Sequence, residues 1–145
     1  MKPTIALGSD HAGFRMKTSL KEWLTANKFE VEDFGVFTAD PSDYPDIAHP
    51  VAERVSDDGN CLGILLCGSG NGVAITANKH PDIRAAICWN EELAGLARLH
   101  NNANILCLPA RFITDEGAEK IAGRFLGTAF EGGRHQRRVS KMKCG

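Results

Sequence analysis

Five short stretches of the chain are almost wholly apolar or β-branched, and the longer stretches between them carry apolar residues at every third or fourth position. TIALGS (4–9), FEVEDFG (29–35), LGILLCG (62–68), RAAICW (84–89) and NILCLP (104–109) read as strands. Three of these are nearly continuously apolar, as strands buried on both faces of a parallel sheet must be. Between them, Met16, Leu20, Trp23 and Leu24 mark one helical stripe, and Ile47, Val51, Ala52 and Val55 mark a second that starts at Pro45 and Asp46. Asn90 stands as an N-cap before Leu93, Ala94, Leu96 and Ala97, and Thr114 before Ala118, Ile121, Ala122 and Phe125. A strand-helix unit repeated about five times with short connections implies right-handed crossovers and a sheet covered on both sides. The pattern predicts an α/β protein, a three-layer α/β/α, Rossmann-like domain on a five-stranded parallel sheet.

Length and composition narrow the reading. A chain of 145 residues holds one sizeable core, so residues 1–145 are expected to form a single domain. A net charge of −1 gives no global attraction to nucleic acid or acidic membranes, so any preference for anions must be local. The stretch MKPTIALGSDHAGF has no secretory apolar run, and no segment approaches the roughly 20 apolar residues needed to span a bilayer. A cytoplasmic protein without membrane or nucleic-acid partners is expected. Cys61, Cys67, Cys88, Cys107 and Cys144 form an odd set with no C-x-x-C pair, which supports neither a disulfide framework nor a zinc site. Only the tail, about residues 131–145, shifts abruptly toward basic.

An open parallel sheet binds ligands beyond the carboxyl ends of its strands, where the winding reverses, and strands 1 and 3 commonly flank that crevice. Here strand 1 ends in GSDHAGF and strand 3 in CGSGNG. Gly68, Gly70 and Gly72 let the backbone turn tightly and bring its amides to a ligand, and the helix read from about Asn71 to Lys79 adds its positive end. The spacing G-x-G-x-G is neither the dinucleotide fingerprint nor a P-loop, so it reads as an anion hole or as a plain strand-to-helix turn. Cys67 precedes this loop, where N–H dipoles favour a thiolate able to act as base or nucleophile; Cys61, Cys88 and Cys107 read as small core hydrophobes. Ser69 either places a hydroxyl in the anion hole or satisfies its own turn. Asp10 and His11 offer a carboxylate and an imidazole for proton exchange or anion binding. Alternatively, Asp10 caps a helix near Gly13 and His11 is simply exposed. His100 falls in step with Leu93, Leu96 and Ala97, at the end of a helix on or beside its apolar face, where it is either a satisfied core or helix-end residue or, with Asn101 opening the loop that follows, a residue that reaches the crevice. Arg134 and Arg138, at i and i+4 of one helix face, make either a phosphate clamp or a solvated basic tail. Tyr44, in SDYPD, either touches a ligand or anchors its loop.

GSDHAGF, CGSGNG with the downstream ANK, RLHNNANIL and EGGRHQRRV together resemble the ribose/galactose isomerase family in its ribose-5-phosphate isomerase B branch, over nearly the whole chain. The resemblance implies an aldose-ketose isomerase interconverting D-ribose 5-phosphate and D-ribulose 5-phosphate through a cis-enediolate, in the non-oxidative pentose phosphate pathway, without metal or organic cofactor. By position, Cys67 matches the proton acceptor and His100 the donor that opens the furanose ring. Ser69 and the backbone of Gly68, Gly70, Asn71 and Gly72 match the hole for the enediolate oxygen. Asp10 and His11 match sugar- and phosphate-contacting positions, and Asn101, Arg111, Arg134 and Arg138 match the remaining substrate positions. Family members form homodimers with shared sites, which implies that the His100 and tail-arginine side comes from a second copy, with tetramers open. Some members replace the cysteine by a glutamate after the last glycine; Val73 stands there here, so the thiolate version applies. Allose 6-phosphate or galactose 6-phosphate as substrate, a non-catalytic sugar-phosphate-binding module and a thiol-redox role are the competing readings.

Overall fold

Each apolar run becomes a strand: the computed structural model, which describes residues 2–144, contains β1 (Thr4–Ser9), β2 (Val31–Asp33), β3 (Cys61–Cys67), β4 (Ala85–Ile87) and β5 (Ile105–Pro109). They pair in parallel in the order β2-β1-β3-β5-β4. The helices are α1 (Phe14–Ala26), α2 (Pro45–Asp57), α3 (Asn71–Ala77), α4 (Glu91–Leu99), α5 (Asp115–Leu126) and α6 (Arg134–Ser140). The basic tail is followed to Cys144, its last residue lying outside the described residues.

The central strands are apolar throughout because both their faces are covered. Ile5, Leu7, Ile64, Leu66, Leu106 and Leu108 pack with α1, α4 and α5 on one side of the sheet. The alternating residues Ala6, Leu65, Cys67, Ile105 and Cys107 pack with α2 and α3 on the other. Asn90 and Thr114 cap α4 and α5 as expected, their side chains accepting from Leu93 N–H at 2.8 Å and Gly117 N–H at 3.0 Å. The two edge strands pair on one side only, and their ladders are shorter than the apolar runs suggest. Past β2 the chain still follows β1: Ser9 N–H donates to Gly35 O and Val36 N–H to Ser9 O, both at 2.8 Å.

That extension is held from below by a buried ion pair. Lys17, on α1 in line with Leu20 and Leu24, is only 2% exposed, and its ammonium lies 2.7 and 2.8 Å from the two carboxylate oxygens of Asp33. Asp33 Oδ1 also accepts from Gly35 N–H at 2.9 Å, and Lys21 approaches Oδ2 at 3.3 Å. Burial works against the Asp33 charge, but the hydrogen bonds and charge of Lys17, with the Gly35 amide, outweigh it and hold the carboxyl below its ordinary range.

β1 leads to β2 on one side while β3 lies on its other side, so the winding reverses between β1 and β3. Ser9 is in register with Leu66, which puts Asp10 beside Cys67 at the carboxyl ends.

Candidate active site

Asp10 leaves β1 with its N–H directed at Leu66 O (3.3 Å) and closes a single 3-10 turn, His11–Gly13, by accepting from Ala12 and Gly13 N–H with Oδ1 at 3.0 and 3.2 Å. Capping and site-lining, alternatives in the sequence, are met together: the side chain is nearly buried, and Oδ2 carries no hydrogen bond among the described residues. Gly13 has no room for a side chain, since a Cβ there would lie 2.8 Å from Leu66 Cβ and 2.9 Å from Leu66 O. The loop before α2 crosses above. Ser42 Oγ accepts from His11 N–H at 3.0 Å, and Ser42 N–H donates to His11 Nδ1 at 3.1 Å. Nδ1 is therefore the acceptor, and the neutral ring carries its proton on Nε2.

Cys67 ends β3, 5% exposed, and Gly68 O and Cys67 O receive the N–H groups of Arg111 and Ala110 at 3.0 and 2.9 Å. The Arg111 side chain lies across Gly68, where an added Cβ would come within 3.1–3.2 Å of it. Gly70 takes a left-handed conformation (φ 79°) that turns the chain into α3. Ser69 Oγ accepts from Asn71 N–H at 3.2 Å, leaving its own hydroxyl proton to donate. The amides of Ser69, Gly70 and Gly72 donate to no group among the described residues. Tyr44 packs its ring on Gly72, where a Cβ would sit 2.6 Å from it.

These groups surround one open cavity of about 550 Å³, lined by Asp10, His11, Ala12, Tyr44, Cys67, Gly68, Ser69, Gly72, Arg111 and Phe112. Gly70 and Asn71 shape the loop without lining it. Phe112 and Ser42 went unnoticed in the sequence; Ser42 acts across 31 residues, and only its place in SDYPD hinted at it.

Burial pushes Cys61 and Cys107 up and Cys88 to about 11, so these three stay protonated at neutral pH, as core residues should. Cys144 is exposed.

A second group lies elsewhere on the chain. His100 caps the C-terminal end of α4, half-exposed, and stacks on His135 with ring centroids 4.2 Å apart and planes at 14°. Asn101 follows, and Arg134 and Arg138 stand exposed on α6. None of these four lines the cavity of its own chain. His135, read in the sequence only as part of a basic tail, is instead buried against α4; burial, the adjacent His100 ring and the nearby arginines hold its imidazole below the ordinary range despite Glu131.

Among known proteins, the family described as Ribose/Galactose Isomerase matches residues 5–142. A probable ribose-5-phosphate isomerase B of Mycoplasma genitalium is 46% identical, covering 98% of this chain and 95% of its own. Ribose-5-phosphate isomerase B of Escherichia coli is 42% identical over 95% and 93%. Among solved structures, the Thermotoga maritima ribose 5-phosphate isomerase superposes with a TM-score of 0.96 at 46% identity over 99% of both chains. The Mycoplasma genitalium enzyme with bound ribulose-5-phosphate superposes with a TM-score of 0.93 at 45% identity over 96% and 93%.

Proposed function

The chain belongs to the ribose/galactose isomerase family, and on that premise we propose that it interconverts D-ribose 5-phosphate and D-ribulose 5-phosphate with Cys67 as the base. The observation that carries this reading is the place of Cys67, beside Asp10 on the cavity wall and directly before a loop with three uncommitted amides. Val73, where some members carry glutamate, is fully buried and apolar, which leaves the thiol as the only candidate base in the loop.

The chemistry follows from those positions. His100 protonates the furanose ring oxygen while the Asp10 carboxylate takes the C1 hydroxyl proton and returns it to His100 by way of solvent, and the sugar opens to the aldehyde. The Cys67 thiolate takes the proton from C2, the electron pair forms a C1–C2 double bond, and charge develops on O1. The amides of the glycine loop and the Ser69 hydroxyl receive that oxygen, an interaction that strengthens as the charge appears. The O2 proton passes to O1 and Cys67 returns its proton to C1, so the ketose forms and atoms and electrons balance within the substrate. His11, donating through Nε2, and Arg111 hold the far end of the sugar phosphate from this side.

Arg134 and Arg138 are suited to bidentate contacts with the phosphate, yet like His100 and Asn101 they stand outside the cavity of their own chain. A homodimer in which each copy completes the other's site joins the two halves. Ile75, Trp89 and Phe112, large apolar side chains exposed near the carboxyl ends of the strands, support an interface there. No helix of the described residues is long and apolar enough to cross a membrane. Free, unpaired cysteines fit a reducing cytoplasm.

Replacing Cys67 by Ala tests the base directly. Substrate binding should persist while turnover falls by roughly two to four orders of magnitude, the usual contribution of a positioned general base. A C67A variant that still turns over, or a wild-type enzyme with negligible pentose activity beside allose 6-phosphate or galactose 6-phosphate, would overturn the assignment.

A further inference from the structure

Two glycines bring His100 together with Glu131 and His135, two residues to which the isomerase reading gives no role. Gly132 and Gly133 take φ of 74° and 56°, and Glu131 N–H donates to Leu99 O at 3.0 Å, tying this turn to the end of α4. The chain folds back, so Glu131, before α6, and His135, inside it, approach the same neighbour, His100. His135 Nε2 lies 3.5 Å and His100 Nε2 3.8 Å from one oxygen, Glu131 Oε2. The three donor atoms all fall within 4.8 Å of one another. His135 is 7% exposed, and its Nε2 is buried with no hydrogen-bond partner among the described residues. A buried polar nitrogen left in that condition calls for an explanation.

We propose that His100, Glu131 and His135 form a three-ligand site for a zinc-class divalent cation. Two imidazoles and one carboxylate suit zinc, cobalt or copper, whereas magnesium and calcium demand oxygen ligands. Donor atoms around a tetrahedral zinc stand about 3.3 Å apart, close to the separations here. An imidazole lone pair lies in its ring plane, so the half-exposed His100 ring turns out of its stack on His135 to meet the ion, and a fourth position stays open. His100 and Glu131 are half-exposed, which gives the ion its way in. The guanidiniums of Arg134 and Arg138 act against a cation at His135, which makes the Glu131 carboxylate the decisive ligand. Coordination occupies the Nε2 lone pair of His100, so a bound ion silences the nitrogen that opens the sugar ring; this consequence rests on the role proposed for His100 above.

The probe is Zn²⁺ added to the metal-free, full-length protein. In a C67S/C144S background, which removes the two thiols most open to the ion, competition with a chromophoric chelator should show one Zn²⁺ bound per chain, and Co²⁺ should give the visible absorption of a site with nitrogen ligands. E131Q, an exposed and nearly isosteric change, should weaken binding roughly tenfold or more, and H135N should do the same. Absence of binding, or binding undiminished in E131Q, overturns the site whether or not H135N folds. In the C144S enzyme, Zn²⁺ should slow isomerisation relative to its own metal-free rate, reversibly with chelator, and E131Q should relieve the inhibition. Binding that depends on Glu131 but leaves turnover untouched supports the site and removes His100 from ring opening. Inhibition that persists in E131Q without binding there places the ion on Cys67 and overturns the proposal.

Discussion

Replacing Lys17 by Met removes one partner of a pair buried between α1 and the end of β2, where Lys17 is 2% and the Asp33 side chain 10% exposed. Losing one member of such a pair typically costs about 3–5 kcal/mol, because the other charge is left uncompensated. Asp33 keeps the Gly35 amide at 2.9 Å and Lys21 at 3.3 Å, and Met preserves the apolar stem, so the loss should fall to about 2–3 kcal/mol. For a chain of this size that lowers the melting temperature by roughly 5–10 °C. The pH dependence has a definite sign. In the wild type the Asp33 carboxyl is held below its ordinary 3.8, so its contribution is present above that value and is lost only as pH falls through the lower folded pKa. In K17M, burial without its counter-charge raises the folded pKa, and the penalty is relieved as acid protonates Asp33. The gap between the two proteins is therefore widest at neutral pH and narrows toward pH 4. Urea unfolding monitored by far-UV circular dichroism across that range measures it. K17M/D33N, whose carboxamide still accepts from Gly35, should recover most of the loss. A K17M cost below about 1 kcal/mol at pH 7, or a gap that does not narrow in acid, would refute the reasoning.

Mixing inactive C67A with inactive H100A and allowing subunits to exchange should restore about a quarter of wild-type activity, since half the dimers are hybrid and one site in each hybrid is intact; no recovery would mean that Cys67 and His100 do not meet between copies. In a C144S background, iodoacetamide at neutral pH should label Cys67 alone and abolish activity in step, with ribulose 5-phosphate slowing both. Labelling of Cys88 or Cys107 by peptide mass analysis would contradict the burial and raised pKa that keep those thiols inert. Gly13→Ala would press a methyl into the Leu66 backbone, which has no flexible end to move aside, so it should cost about 1–3 kcal/mol and lower kcat by displacing Asp10 from Cys67.

What could be read from the chain beforehand was whatever depends on neighbours in sequence or on a single face. Continuous apolar runs marked the three central strands because burial on both sides leaves no polar position, and Asn90 and Thr114 announced their helices by local chemistry. The winding rule was enough to put Asp10 and Cys67 together. Contacts between distant segments stayed hidden. Lys17 sits in the same stripe as Leu20 and Leu24 but looks like a misplaced charge until Asp33, on another element, is seen beneath it. Ser42 offers no motif, although it sets the tautomer of His11. His135 belongs to a run of arginines that reads as solvated, and only the Gly132–Gly133 turn shows why that one residue goes inward.

The strand order has a consequence for how the enzyme comes to exist at all. β1 pairs with β3 from Thr4↔Cys61 to Ser9↔Leu66, and β3 pairs with β5 from Gly63↔Ile105 to Cys67↔Pro109. Each ladder closes only after a long loop has been confined, and such non-local pairing slows folding. The helices are local and can form early, whereas the cavity wall is made of strand ends and has no partial version. On dilution from denaturant, helical signal should therefore return before turnover does. Catalysis then reports the completed sheet, and a chain stalled short of that ladder is a protein with most of its secondary structure and none of its chemistry.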